Sequence, residues 1–325
     1  MKYQIQKYSN EHYKEWNEFV AHAKNATFLF HRDFMEYHQD RFEDYSLLLF
    51  DDNQELIAVL PANRVGETLF SHQGLTYGGI VLQEKTKLSD FISIAKSVFK
   101  YLNAQQFQKI NFKEIPHIYT QIPSDELQYL MFLMQGSLVR RDVLSVLDLS
   151  NNFTFSRDRK NGIKRGFKND LVVKEESNFE SFWNEILIPN LAEKHQAKPV
   201  HSLEEIQYLH SKFPKNIRQF NVYQNDKIVA GTTIFETDLV AHSQYISGNS
   251  DKNELGSLDF LHDYLISNVF KDKKYFDFGI SNENQGKNIN EGLLYWKESF
   301  GARAISQDFY EVEIKNHTLL DNVLL

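Results

Sequence analysis

The chain matches itself, in order, at an offset of roughly 165 to 171 residues. Trp16-Asn17-Glu18-Phe19 returns as Trp183-Asn184-Glu185-Ile186. The stretch 46–59, two apolar runs around Asp51-Asp52-Asn53, returns as 220–231 around Asn225-Asp226, and each has the composition of a β-hairpin. Ser71-His72-Gln73 parallels His242-Ser243-Gln244. A helix pattern follows in both halves, Asp90-Phe91 with Val98-Phe99-Lys100 and Asp259-Phe260 with Val269-Phe270-Lys271. Next comes an apolar strand, Lys109 to Phe112 or Tyr275 to Phe278. Last, Gly136 and the strand Asp142 to Leu149 answer Gly301 and Asp308 to Ile314. A period this long means two copies of a domain and not a solenoid. Each copy reads as an α/β (α+β) unit, a mixed twisted sheet flanked by helices. The expected domains are 1–152 and 153–325, in keeping with a 325-residue chain too long for one ordinary core.

Composition narrows the chemistry. With no cysteine, disulfides, thiolate nucleophiles and zinc–thiolate sites are excluded, and a reducing compartment fits. A formal charge of −8 argues against DNA binding by the whole surface. The first residues lack the apolar core of a signal peptide and no run approaches membrane-spanning length. A soluble cytoplasmic protein is expected, with a peripheral membrane contact left open. No His-Glu-x-x-His or carboxylate–histidine cluster points to a metal, and no Walker A loop, dinucleotide fingerprint or Gly-x-Ser-x-Gly elbow occurs.

The candidate chemistry lies mostly in the second copy. Asp277-Phe278-Gly279 spells a kinase motif, but no glycine-rich loop or His-Arg-Asp accompanies it. Asp277 within an apolar strand must be paired if buried. Ser281, Asn282 and Glu283 follow at the carboxyl end, where α/β sheets hold ligands. The strand carrying His242, Gln244 and Tyr245 runs into a polar loop with Gly248, Asn253, Gly256 and Ser257 that opens a helix. Such a loop either holds an anion on free backbone N–H groups or is a surface turn capped by Ser257.

Further on, Ile289, Leu293, Trp296 and Phe300 form an apolar helix stripe ended by Gly301. Lys297 lies about 40° from Leu293, at the stripe's edge, where it either snorkels to solvent or enters a cleft. Its first-copy counterpart is Phe132, in a helix (129–134) expected to be wholly buried. The segment 157–168 carries six basic residues and one acid; on a helix, Arg157, Lys160, Lys164 and Lys168 share one face fit for phosphate or for solvent. The first copy offers His31-Arg32 and a glycine-rich turn with His72 and Tyr77, candidates for lining a groove between domains.

Duplicated α/β halves, Tyr77-Gly78-Gly79, the basic opening of the second half, and the ending Phe276-Asp-Phe-Gly279 with Gly292-Leu-Leu-Tyr-Trp-Lys-Glu-Ser-Phe-Gly301 together resemble the FemA/FemB/FemX-like acyltransferases. The resemblance covers nearly the whole chain. It implies two tandem acetyltransferase (GNAT-like) domains, the first degenerate and the second active. It also implies transfer of an acyl or aminoacyl group to an amine on a cell-envelope or polysaccharide precursor, a small-molecule, lipid-linked or nucleotide-linked acceptor. The co-substrate would be acyl-CoA or aminoacyl-tRNA, with no tightly bound cofactor and no metal. By the same resemblance Lys297, after Trp296, lies at the transfer centre. Arg159, Lys160, Lys164 and Arg165 approach phosphates or the acceptor, joined by His31, Arg32, His72, Tyr77, Gln244, Ser281, Asn282, Glu283 and Trp296. Asp277, His242 and Tyr245 are the candidates for positioning or proton transfer, and Gly248, Asn253, Gly256 and Ser257 for holding the donor. The helix-opening loop departs from the Arg/Gln-x-x-Gly-x-Gly/Ala pattern of CoA-binding members, and the coiled-coil arm of some members has no room. A duplicated fold that binds phosphate or peptide without turnover is the alternative.

Overall fold

Both hairpins form where turn chemistry requires them. In a computed structural model describing residues 3–324, Leu47–Phe50 pairs antiparallel with Leu56–Leu60. Likewise Ile217–Gln224 pairs with Lys227–Glu236 around Asn225 and Asp226, both at positive φ, the geometry of a type I′ turn.

The chain forms two compact units, one running through Asp142 and resuming at Ser306, the other Val143–Ile305. Both dividing points fall inside strands, Ser137–Asp148 and Arg303–Glu313. The expected domain border at 152/153 lies in neither.

In the first unit, Gln4–Lys7, Leu47–Phe50, Leu56–Leu60 and Val81–Leu82 make an antiparallel sheet. Helix Leu88–Ala104 buries Phe91, Ala95, Val98 and Leu102 in the same core as Leu47, Leu49 and Ile110, a 3.6-period face against a period-2 one. Thr68–Ser71 runs parallel to Lys109–Lys113 through that helix, and residues 309–313 pair antiparallel on the far side of Lys109–Lys113.

The second unit is a meander, Val172–Glu176, Ile217–Gln224, Lys227–Glu236, Val240–Gly248, followed by parallel Tyr275–Ile280. The crossover is helix Ser257–Tyr264 with a π-helical turn Leu265–Val269. Residues 144–148 flank Tyr275–Ile280 antiparallel. The same plan thus recurs, a parallel βαβ pair closed by an antiparallel strand, and each half lends its final strand to the other half's sheet.

Helix Arg157–Lys168, capped by the Ser156 hydroxyl, lies on the crossover helix through two glycines. A Cβ at Gly162 would overlap the Asp259 carboxylate, and one at Gly166 would meet Phe260 Cβ at 2.5 Å. Gly256, at φ +69°, presses against the Gly162 carbonyl from the other side. It is therefore the helix junction that needs glycine there.

Gly162→Ala is accordingly expected to lower the stability of the full chain by about 1–3 kcal/mol in urea unfolding, an overpacking cost. Gly292→Ala, whose Cβ would meet nothing nearer than Asn290 Oδ1 at 3.8 Å, should be neutral or gain up to about 1 kcal/mol.

Candidate active site

The second unit's parallel pair separates early. Val240–Gly248 and Tyr275–Ile280 are in register only from Val240↔Tyr275 to His242↔Asp277, although both strands continue. Beyond that point Gly279 takes φ +70° and the register against residues 144–148 shifts, turning the strand aside. Residues 243–248 and 278–280 therefore face one another without pairing, at the carboxyl end of a parallel pair.

His242 and Asp277 are the last matched residues before the strands part, so their side chains share a sheet face. Asp277 is 0% exposed. Its Oδ1 accepts the Gly279 N–H at 2.7 Å and its Oδ2 lies 2.9 Å from His242 Nδ1. A carboxylate only accepts, so Nδ1 carries the proton, and Nε2 is the basic nitrogen of the neutral ring. The His242 side chain retains 14% exposure.

Lys297 comes to the same strand from helix Glu291–Glu298, whose first turn is capped by Asn290 Oδ1 on Leu293 N. Its Nζ donates to the Gly279 and Ile280 carbonyls, at 3.0 and 2.6 Å, leaving one N–H for another acceptor. Burial lowers its pKa from the usual 10.5 to about 8, against the opposing pull of Asp277. Lys297 is the helix's one buried residue. The expected apolar stripe holds only at its end, since Ile289 and Leu293 are exposed while Phe300 is buried. The expected contrast between copies is also reversed. Lys297 is 3% exposed and Phe132 is 76% exposed, because helix Glu126–Leu133 buries only Leu130 and Met131.

Behind Lys297, Trp296 Nε1 donates to Asp259 Oδ1 at 2.8 Å, and Arg159 donates to the same oxygen. Burial nonetheless raises the Asp259 pKa, the Arg159 charge offsetting only part of it. His262, fully buried, stands among Phe276, Phe278, Trp296 and Phe300 with its Nδ1–H on the Leu258 carbonyl. Desolvation pushes its pKa to about 4, so it is neutral. In sequence, Asp259 stood out only as the repeat partner of Asp90, and His262 not at all; their inward spacing, i and i+3 on an otherwise apolar helix face, was the available signal.

Other candidates are placed elsewhere. Tyr245 packs on Trp183, and its hydroxyl accepts the His201 N–H at 3.1 Å and meets His201 Nδ1 at 2.6 Å. Gln244 is half-buried beside it in sequence. The buried hydroxyls of Ser243 and Ser281, adjoining His242 and Ile280, have no hydrogen-bond partner. Asn282 fixes the Val143 N–H, and exposed Glu283 accepts from Asn290. Of the four expected donor-loop residues, Gly248, Asn253, Gly256 and Ser257, only Asn253 is exposed. Gly248 packs over Lys252, Gly256 is pressed on Gly162, and Ser257 is buried, not capping. Asn249 already accepts the Asp251 and Lys252 N–H groups, and Asp251 and Glu254 bring negative charge there. Arg159 turns inward to Asp259, whereas Lys160, Lys164 and Arg165 are exposed.

The first-unit candidates are engaged in that unit's own packing. Arg32 is buried with its guanidinium on Glu36, Asp44 and Ser46 and over the Tyr8 ring. His31 caps helix Arg32–Met35. Buried His72 stacks on His38, its pKa lowered to about 3 by desolvation. The Tyr77 hydroxyl bonds Thr27. The parallel ladder of this unit ends with Phe70↔Asn111 and Ser71↔Phe112, so it holds no histidine–carboxylate pair. Its strands are then followed by the unit's own loop, with Lys113 Nζ on the Leu75 carbonyl and Gly78 N on the Lys113 carbonyl.

No protein-family model matches the chain, and no curated protein does. Solved structures do. A FemX crystal structure aligns with TM-score 0.68 at 10% identity over 98% of this chain and 99% of that one. The structure of L-PGS from Bacillus licheniformis gives 0.59 at 12%, over 93% and 91%. A tandem GNAT protein from the clavulanic acid biosynthesis pathway gives 0.51 at 10%, over 96% and 98%. At these identities the likeness is one of fold, and it bears out the FemX-like tandem acetyltransferase architecture expected from the sequence.

Lys297 carries a pH signature. The unfolded chain binds its proton up to about pH 10.5 and the folded chain only to about 8. The burial penalty is thus fully present below pH 8 and is relieved as pH rises between those values, so stability rises across that window. The difference in unfolding free energy between wild type and Lys297→Met should therefore grow in favour of wild type from pH 8 to 10. A flat difference would contradict the burial of a charged lysine.

Proposed function

We propose that the second unit transfers an acyl or aminoacyl group from an activated donor to an amine. The observation that carries the proposal is the His242–Asp277 pair at the point where the parallel strands part, with Lys297 anchored on the same strand two and three residues beyond Asp277. Fold alone would not support it, since one fold hosts many chemistries. The first unit keeps the βαβ plan but has no histidine–carboxylate pair at the end of its parallel ladder, where Phe70↔Asn111 and Ser71↔Phe112 stand, which supports a single active copy.

In this mechanism the amine nitrogen attacks the donor carbonyl carbon, forming the C–N bond and a tetrahedral oxyanion. Nε2 of His242 takes the proton the amine loses, and Asp277 holds the ring in that tautomer and stabilises the imidazolium. The free N–H of Lys297 and the backbone N–H groups of residues 243–248 that do not pair with Lys227–Glu236 supply donors for the oxyanion. Collapse breaks the bond to the leaving sulfur or oxygen, which takes the proton back from His242. Acyl-CoA and aminoacyl-tRNA both fit this chemistry. The turn at 249–254, whose N–H groups at Asp251 and Lys252 are already bonded to Asn249 and whose two acids outnumber its one lysine, weighs against holding a diphosphate there. An amine on an envelope or polysaccharide precursor, acylated in the cytoplasm, is the acceptor we favour.

The test is to incubate the full chain with acetyl-CoA, longer acyl-CoAs or aminoacyl-tRNA and an amine acceptor, following the acceptor by mass. His242→Gln and Asp277→Asn should each lower turnover by about 10²–10⁴-fold, the latter with the pH profile displaced. Unchanged turnover in either variant would remove the pair from the mechanism.

A further inference from the structure

Helix Arg157–Lys168 presents two opposite faces. Gly162 and Gly166 lie inward against Asp259 and Phe260. At about 100° per residue, Arg157, Lys160, Lys164 and Lys168 fall within an arc of about 80° on the side opposite the glycines. All four are exposed, and none takes part in an ion pair among the described residues. Asp158, the helix's one acid, lies off this stripe with its carboxylate on the Tyr295 hydroxyl. Phe167 borders the stripe on the Lys160 side, 64% exposed, its ring edge-on to Phe260. The result is a straight basic line about 16 Å long with a large apolar ring beside it, on a chain of net charge −8.

We propose that this face docks the second unit on an anionic phospholipid bilayer. The charges match lipid phosphates, each basic side chain near such a surface adding about fivefold to partition. Phe167 decides between a bilayer and a polynucleotide. Its exposed ring gains by entering the interface between headgroup and acyl chain, whereas a duplex phosphate backbone offers it nothing. A line of four cations on a single helix is also narrow for a duplex. No helix among the described residues is long and apolar enough to cross a membrane, so the association is with the surface. It is independent of the transfer chemistry and needs no turnover to test.

The experiment is co-sedimentation of the full chain with vesicles of phosphatidylcholine alone and of equal parts phosphatidylcholine and phosphatidylglycerol, at low and high salt, with and without an RNA duplex as competitor. Binding is expected only to the anionic vesicles and should weaken with salt. Lys160→Gln with Lys164→Gln should reduce it about fivefold for each charge removed. Phe167→Ser should reduce it while leaving the salt dependence intact. All these side chains are exposed, so melting temperatures report whether the variants fold, and Arg157→Gln serves as an independent charge variant. Absence of binding to anionic vesicles, or binding indifferent to the charge variants, overturns the proposal. So does displacement by RNA together with indifference to Phe167→Ser, which would make the stripe a polynucleotide surface.

Discussion

A carboxylate with no solvent exposure in the middle of a strand is the constraint around which the second unit is arranged. Leaving Asp277 unpaired would cost several kcal/mol, and its partners are supplied by the features that open the site. One oxygen is satisfied by the Gly279 N–H, which comes within reach as the chain turns through positive φ at Gly279. The other is satisfied by His242, in register on the next strand. The bend that serves Asp277 also ends the parallel pairing. It leaves the Gly279 and Ile280 carbonyls needing a donor, which Lys297 provides. Paired carboxylate, parted strands and buried lysine are thus one arrangement, and removing any part exposes an unmet polar group in the others.

The first unit shows the same topology without that constraint. Its ladder ends with Phe70↔Asn111 and Ser71↔Phe112, without a histidine–carboxylate pair, and the chain's own 72–78 loop bonds the strand that follows at Lys113. The duplicated scaffold is thus common to both units, and the His242–Asp277 pair distinguishes the second. The lending of final strands between halves is equally a product of duplication, because two copies of one sheet offer each other edges of matching register.

Hairpins, the crossover helices and the parallel strands were legible in the sequence because each is set by local patterning: Asx turns, a 3.6-residue apolar period, short β-branched and aromatic runs. Asp277 was legible for the same reason, a charge interrupting an apolar strand. The lent strands were not, since nothing local in 142–149 or 308–314 specifies which neighbour they join. Nor were the exposure of Phe132 and the burial of Lys297, where hydropathy gave the wrong order. An apolar ring stays outside when its helix touches the core with one edge, and a lysine goes inside when two carbonyls require it. Gly256 read as a loop residue for an anion, and Gly162 and Gly166 drew no reading; all three are small because two helices and a carboxylate meet there.

The basic helix ties these levels together. Its inner face is fixed by close packing on the crossover helix, and Arg159 alone among its cations turns inward, to Asp259 and so toward Trp296. Tyr295 meets Asp158 on the other side. The helix that bears Lys297 is therefore tied to the basic helix directly at Tyr295 and, through Asp259, at Trp296. A segment this charged would be expected to move freely on the surface. Here two glycine contacts and two side-chain bonds hold it in place, so its outward charges are displayed on a rigid support and its inward arginine is withdrawn from solvent. Charge displayed this way can act as a surface, because its spacing is set by the helix and not by the conformations of a loop.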